Sequence, residues 1–459
     1  MDNSKKSELG TERVGKLLFK LAIPSIVAQL VNVLYNIIDR MFIGRMVGGD
    51  LAMAGVGLSF PIITLISAFA SLVGVGGGPL AAIKMGEKNN DEAEKIMGNA
   101  FISLICLAVV LTFVFQTGKE SVLWMFGASE NTIGYAMDYL HIYLFGTIFV
   151  MIALGLNPFI NTQGFAKMGM ITVAIGAALN IILDPILIFG LDLGVKGAAL
   201  ATVISQGVSA MWVLRFLTGK KTILKIRRDK IKPKKKIILS IMGLGVSPFI
   251  MQSTESLVLI SLNTKLQMYG GDIAVSAMTI ISSIAQMVSL PMQGITQGAQ
   301  PIISYNYGSG DMERVKKAFW LNVLSCLTFS VIVCGSCLLF PKVFVHIFNN
   351  DPELVEFTSW AMRIYFVGMV IFGIQVGCQQ TFLALGKAKI SVMLAMLRKI
   401  VLLIPLIFIL PAIIEDQLFA VFLAEPISDI LAVLSTATCF AVFYKKTLSK
   451  KVINNVDTN

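Results

Sequence analysis

The chain reads as long apolar stretches separated by short polar ones, near 17–46, 52–83, 96–116, 133–160, 168–190, 194–218, 237–264, 273–304, 318–341, 357–384, 390–411 and 417–444. Each is long enough for the ~20 apolar residues an α-helix needs to cross ~30 Å of hydrocarbon. The pattern predicts an all-α polytopic membrane protein with twelve transmembrane helices. Composition agrees: 56% of residues are hydrophobic, 14% are charged and the mean hydropathy is +0.78. That leaves too little polar surface for a water-soluble globule and too much apolar content for a disordered chain.

An internal repeat organises the spans. At an offset of 222 positions, Gly48-Gly49-Asp50-Leu51-Ala52 falls on Gly270-Gly271-Asp272-Ile273-Ala274. At the same offset Pro79 falls on Pro301, Gly86 on Gly308, Gly146 on Gly368 and Gly164 on Gly386. The register holds through loops, where shared hydrophobicity alone would lose it. Six spans per half is an even number, so both halves enter the membrane from one side and form two parallel six-helix repeats. The expected division is an N-lobe at 1–218, a basic linker at 219–236 and a C-lobe at 237–459. Two-lobed folds of this kind bind cargo between or within the lobes and rock one against the other.

The net charge of +11 would suit a nucleic-acid binder, but its distribution suits a membrane. Ten basic residues crowd into 219–236; by side, 28 Lys/Arg fall with the termini and five (Arg45, Lys119, Lys196, Lys265, Lys342) opposite. The positive-inside rule then places both termini and the linker in the cytoplasm. The six cysteines lie inside apolar runs, and no second pair or histidine completes a zinc site around Cys334 and Cys337, so they read as packing residues. The polar, basic start of the sequence carries no cleavable signal peptide. His141 and His346 are too far apart to suggest catalysis, and no nucleophilic triad or phosphate-binding loop is evident. Gly76-Gly77-Gly78 lacks the Lys-Ser/Thr of a nucleotide loop and reads as close helix packing or a hinge. With no ATP site, the energy source is an ion gradient.

Acids at bilayer depth cost at least ~2.5–3.5 kcal/mol each and ask for a reason. Asn32, Asn36 and Asp39 share one face of the first span, which Pro24 interrupts nearer its start. Asn180 and Asp184 share a face of the fifth span, just before Pro185, and Thr202 and Gln206 share one in the sixth. Carboxylate, amide and freed carbonyl oxygens suit Na⁺, and a carboxylate alone suits a proton. The acidic pair is not duplicated, because the offset places Ser261 and Leu406 opposite Asp39 and Asp184. The second half instead offers Glu255 with no evident partner, and a glutamine line that includes Gln297. Pairing of Arg398 with Glu425 or Asp429 is the expected explanation of those three charges.

The segments Tyr35-Asn36-Ile37-Ile38-Asp39-Arg40, Asn180-Ile181-Ile182-Leu183-Asp184-Pro185 and Gln297-Gly298-Ala299-Gln300-Pro301 resemble the multidrug and toxic compound extrusion (MATE) family, in particular its MepA-like bacterial group. The resemblance covers about 15–445. It implies a two-lobed exporter of organic cations in exchange for H⁺ or Na⁺, needing no cofactor. It also implies a cation or proton site at Asp39, Asn180, Asp184 and Thr202, with Asn157 nearby, and a bend at Pro24. A C-lobe site at Glu255 would be incomplete, since no acid lies between Trp360 and Ala384. The expected protein is a monomeric antiporter of the cytoplasmic membrane with organic cations, H⁺ or Na⁺ and lipid as partners, and no nucleic acid. Twenty-three methionines and twenty-nine phenylalanines supply adaptable apolar surface for such cargo. The alternatives are a flippase for lipid-linked precursors or an exporter of one dedicated metabolite; a membrane-embedded enzyme lacks its catalytic cluster.

Overall fold

The computed structural model describes residues 8–46 and 48–448. Twelve helical spans follow one another: α1 Val14–Gly44, α2 Gly49–Gly86, α3 Asn90–Met125, α4 Ile133–Phe145 with Thr147–Thr162, α5 Ala166–Gly190 and α6 Gly194–Thr218. The second six are α7 (235–270), α8 (272–308), α9 Met312–Leu339, α10 Pro352–Met369 with Phe372–Ala384, α11 Ala388–Ile413 and α12 Gln417–Leu448. Helix α7 runs straight into α8 and is divided from it only by Gly271, at φ 62°. Helices α4 and α10 are each broken midway, by 58° and 43°. They are the fourth spans of their respective halves.

The repeat is written into the caps as well as the sequence. Asn89 caps α3 by accepting from the Glu92 N–H, and Asp311 caps α9 by accepting from the Arg314 N–H. The residue before each cap, Lys88 and Gly310, takes positive φ, and so do Gly164 and Gly386 before α5 and α11. All three pairs are 222 positions apart. A side-chain oxygen on an otherwise unbonded helical N–H stabilises each start by about 1 kcal/mol. The two halves therefore begin their helices by the same local chemistry.

Two apolar cores form within the halves. One centres on Ile62, Leu104, Leu156 and Phe159, the other on Met278, Phe366, Leu403 and Phe422. A third joins them at the face bearing the linker, here called the basic face. There Leu17, Leu18 and Leu21 of α1 pack with Ile302 and Ile303 of α8, Phe319 of α9 and Phe382 of α10. Arg314 secures the start of α1: its guanidinium donates to the carbonyls of Leu9 and Glu12, at 3.0 and 2.8 Å, and to Asn306 Oδ1. Helix α2 closes the same face by backbone contact with α7. A methyl on Gly245 would collide with the Leu72 carbonyl, and one on Gly76 with that of Ile241. This is the close helix packing expected of the triple glycine. The lobes thus meet tightly at the basic face.

The 219–236 segment is more than a tether. Gln163, buried at the end of α4, accepts from Thr222 Oγ1 and the N–H groups of Ile223 and Leu224, each at 2.8 Å. Glu94 accepts from the Lys225 N–H and Asn99 from the Lys234 N–H. Asp91 pairs with Lys230 and Lys95. Hydrogen bonds from those two ammonium groups hold the Asp91 carboxyl down to about 2. Because the value is depressed on docking, this contribution persists above the ordinary carboxylate range and fades only as pH falls toward 2. Docking on the N-lobe is therefore steady across physiological pH. Gln163→Ala removes the acceptor of three donors, and should raise tryptic cleavage within 220–228 severalfold while cleavage elsewhere is unchanged.

Candidate functional site

Inside the N-lobe, α1, α5, α6 and α4 converge on a polar pocket walled by apolar side chains. Asp39 comes from α1 and Asp184 from α5; they are 8% and 0% exposed, and their carboxyl groups lie within hydrogen-bonding reach of each other. Asn180, one turn before Asp184, donates through Nδ2 to Asp184 Oδ1 at 3.3 Å and to Thr202 Oγ1 of α6 at 3.4 Å. The Pro185 ring denies α5 a backbone N–H, and the next five residues, Ile186–Gly190, form a wider π-turn. Helix α5 therefore loosens just beyond the acid.

Neither acid forms an ion pair with a basic residue among those described. The adjacent Arg40 places its guanidinium over the Phe60 ring at 4.2 Å. Three buried oxygens at the centre, Asp39 Oδ1, Asp184 Oδ2 and Asn180 Oδ1, accept no hydrogen bond. Two carboxylates in contact, out of water and without a basic partner, are stable together only with a proton or small cation between them. With Thr202, the donor set is entirely hard oxygen, which suits Na⁺ as well as a proton. Among the described residues no group of three His, Cys, Asp or Glu side chains gathers as a transition-metal site would require.

Four expected residues thus come together: Asp39, Asn180, Asp184 and Thr202. Asn157 does not join them. Its amide donates to the Gly169 carbonyl at 3.3 Å, eleven residues before Asn180 and so roughly 16 Å away along α5. Asn36 bonds the Asn32 carbonyl of its own helix at 2.7 Å. Gln206 lies a turn beyond Thr202 toward the basic face, and Gln297 belongs to α8 of the other lobe. Two residues not expected as site residues, Tyr139 and Tyr35, lie beside this group. The Tyr139 hydroxyl of α4 is within hydrogen-bonding reach of Thr202, and Tyr35 is near enough to both acids to feel their charge. Tyr139 stacks on Tyr143 within an apolar run, where no polar spacing marks it out.

Pro24 lies within an α1 that continues helically on both sides. Here α8 comes unusually close, because a side chain on Gly298 would strike the Ala22 backbone and one on Gly294 that of Ile26. The sequence drew attention to Gln297; the contact with the proline segment is made by the glycine beside it.

The C-lobe handles its charges differently. The Leu397–Leu403 stretch of α11 is a π-helix that presents Arg398 and Lys399 to opposite neighbours. Arg398 meets Asp429 Oδ1 at 2.8 Å and Glu425 Oε1 at 3.2 Å, so both expected pairs form at once. The reading of Glu255 as unpartnered is corrected: Lys399 Nζ lies 2.7 Å from Glu255 Oε2. That pair spans 144 residues of chain, beyond the reach of any local pattern. His141 is exposed, with its Nδ1 2.9 Å from Lys119 Nζ. Arg398→Ala would strand two buried carboxylates and should cost roughly 3–5 kcal/mol, read as a large fall in Tm. Glu255→Gln should also lower Tm, because it leaves the Lys399 ammonium, whose side chain is only 7% exposed, without its partner.

Comparison with known proteins bears on the fold and the family. The family model MatE matches residues 24–186 and again 246–409, two matches that begin 222 residues apart. The multidrug export protein MepA of Staphylococcus haemolyticus (strain JCSC1435) is 26% identical over 419 residues, covering 91% of this chain and 92% of that protein. MepA of Staphylococcus aureus (strain MRSA252) is 26% identical over 425 residues, covering 92% and 93%. A crystal structure of MATE in the bent conformation superposes with TM-score 0.90 at 23% identity, over 98% of this chain and 100% of that one. The outward-facing conformation of a multidrug resistance MATE family transporter of the MOP superfamily gives 0.88 at 23%, over 97% and 100%. The twelve spans, the doubled match and the length covered lead to one conclusion: this chain is a multi-pass membrane protein and belongs to the MatE family of multidrug efflux transporters.

Proposed function

We propose that the protein is a secondary active antiporter that expels cationic or amphipathic drug-like compounds in exchange for H⁺ or Na⁺. It would act as a monomer in the cytoplasmic membrane without a cofactor, its basic face and both termini in the cytoplasm. The observation that carries this reading is the Asp39–Asp184 contact, buried and unpaired with any base. Export of multiple drugs is what the names of the MepA relatives report of those proteins.

The chain's own residues suffice for the coupling step. With a proton or Na⁺ held between them, Asp39 and Asp184 attract and draw the far end of α1 against α5. With the ion gone, two like charges face each other in a low dielectric and repel. Helix α1 yields at Pro24, where a backbone hydrogen bond is missing. Asn180 and Thr202 keep Asp184 in place through the change, so α1 is the part that moves. Tight contact at the basic face leaves the lobes free to part at the opposite one, which corresponds to an outward-facing state. Each tenfold of ion gradient supplies ~1.4 kcal/mol toward the cargo gradient.

In proteoliposomes loaded with a fluorescent organic cation, Asp39→Asn should abolish gradient-driven export while Tm stays near that of the unaltered protein. Undiminished transport would overturn the proposal. Imposing a pH gradient or a Na⁺ gradient separately identifies the coupling ion.

A further inference from the structure

Beyond the N-lobe pocket, the molecule carries an open groove of about 900 Å³ on its flank, between α7 and α11 and bordered by Leu80 of α2. The groove lies at the end nearest the basic face, outside the seal that joins the lobes. The two helices that border it are joined by side chains: Ser391 Oγ donates to Ser247 Oγ at 2.8 Å, and Ser247 Oγ to the Ser391 carbonyl at 3.1 Å. Its walls are apolar and exposed, with Leu239 60%, Met393 51% and Val401 55% accessible.

Polarity along the groove is graded. Only Ser240 and Lys389 among its lining residues are polar, and both sit at the basic-face end, within the first turns of α7 and α11. No described acid pairs with Lys389, and the α7 start adds exposed Lys235 and Lys236 at the same level. From Lys389 to Val401, at 1.5 Å per residue, the groove is about 18 Å deep. One leaflet is half of ~30 Å of hydrocarbon. A cation at headgroup depth above an apolar trough one leaflet long matches a single molecule: a phospholipid with an anionic headgroup and its acyl chains lying along α11.

We propose that this groove is a binding site for one anionic phospholipid of the cytoplasmic leaflet, its phosphate held by Lys389 and its acyl chain seated over Gly243. The choice of leaflet rests on the orientation proposed above. Because Leu80 belongs to the N-lobe while α7 and α11 belong to the C-lobe, the lipid touches both and wedges the flank of their seam.

Gly243 supplies a clean test, since nothing lies within 4 Å of a Cβ placed there. Gly243→Trp therefore fills the trough from inside without disturbing the fold. The full chain is reconstituted in nanodiscs of phosphatidylcholine with one-third phosphatidylglycerol, mildly delipidated, and the retained lipid counted by native mass spectrometry. The unaltered protein should retain one phosphatidylglycerol in preference to phosphatidylcholine. Lys389→Gln should lower that preference about fivefold, the worth of one basic residue near a lipid surface. Gly243→Trp should lose the retained lipid with Tm in detergent unchanged. Equal retention of both lipids by the unaltered protein, or variants that retain lipid as it does, would overturn the proposal. So would displacement of the lipid by a cationic dye, which would make the groove a cargo site. Asp39→Asn should hold the lipid as the unaltered protein does, which separates failure of this inference from failure of the transport reading.

Discussion

Two carboxyl groups touching inside an apolar lobe, with no arginine or lysine paired to either among the described residues, set the terms for the rest of the molecule. Asp39 and Asp184 are each costly at that depth, and their contact adds repulsion to the cost of burial. A fold that keeps such an arrangement is one whose pocket is completed by something small and positive. Asn180 holds Asp184 from the same helix and is itself tied to Thr202 of α6, whereas Asp39 rides on a helix whose basic-face half contains a proline.

The contrast between the lobes makes the point clearer. Their helices start with equivalent caps and turn at equivalent positions, yet their buried charges are balanced by different means. In the C-lobe, Arg398 and Lys399 meet Glu425, Asp429 and Glu255, so two of the three negative charges are matched by charges that are covalently part of the chain. Such a network resists change, because removing any member strands another. In the N-lobe no described basic residue pairs with either acid, and the proposed coupling ion would supply the missing charge. Similar scaffolds thus carry one internally paired charge cluster and one pair of acids without a basic partner among the described residues.

Helix α1 connects the two behaviours. Its first turns are packed into the basic-face core shared with α8, α9 and α10, and Arg314 pins the residues that precede it. Its far half reaches into the N-lobe to deliver Asp39. Pro24 lies between, against the glycines of α8 that let that helix approach so closely. One helix therefore belongs to both lobes, and a force on its acidic end is transmitted to the seam.

Much of this was readable in the order of residues. Long apolar runs set the number of spans because a bilayer admits little but helices. The 222-residue register revealed the two halves because it survives in loops, where Asn89, Asp311 and the positive-φ positions carry local instructions. Asp39, Asn180, Asp184 and Thr202 stood out because polar groups at helical spacing are conspicuous in an apolar stretch. What the sequence could not supply was who faces whom. The linker's docking onto Gln163, the pairing of Glu255 with Lys399 across 144 residues, the absence of Asn157 from the pocket and the arrival of Tyr139 all depend on which helix faces are turned together. Periodicity assigns a residue to a face of its own helix. Only the packed bundle decides what that face meets.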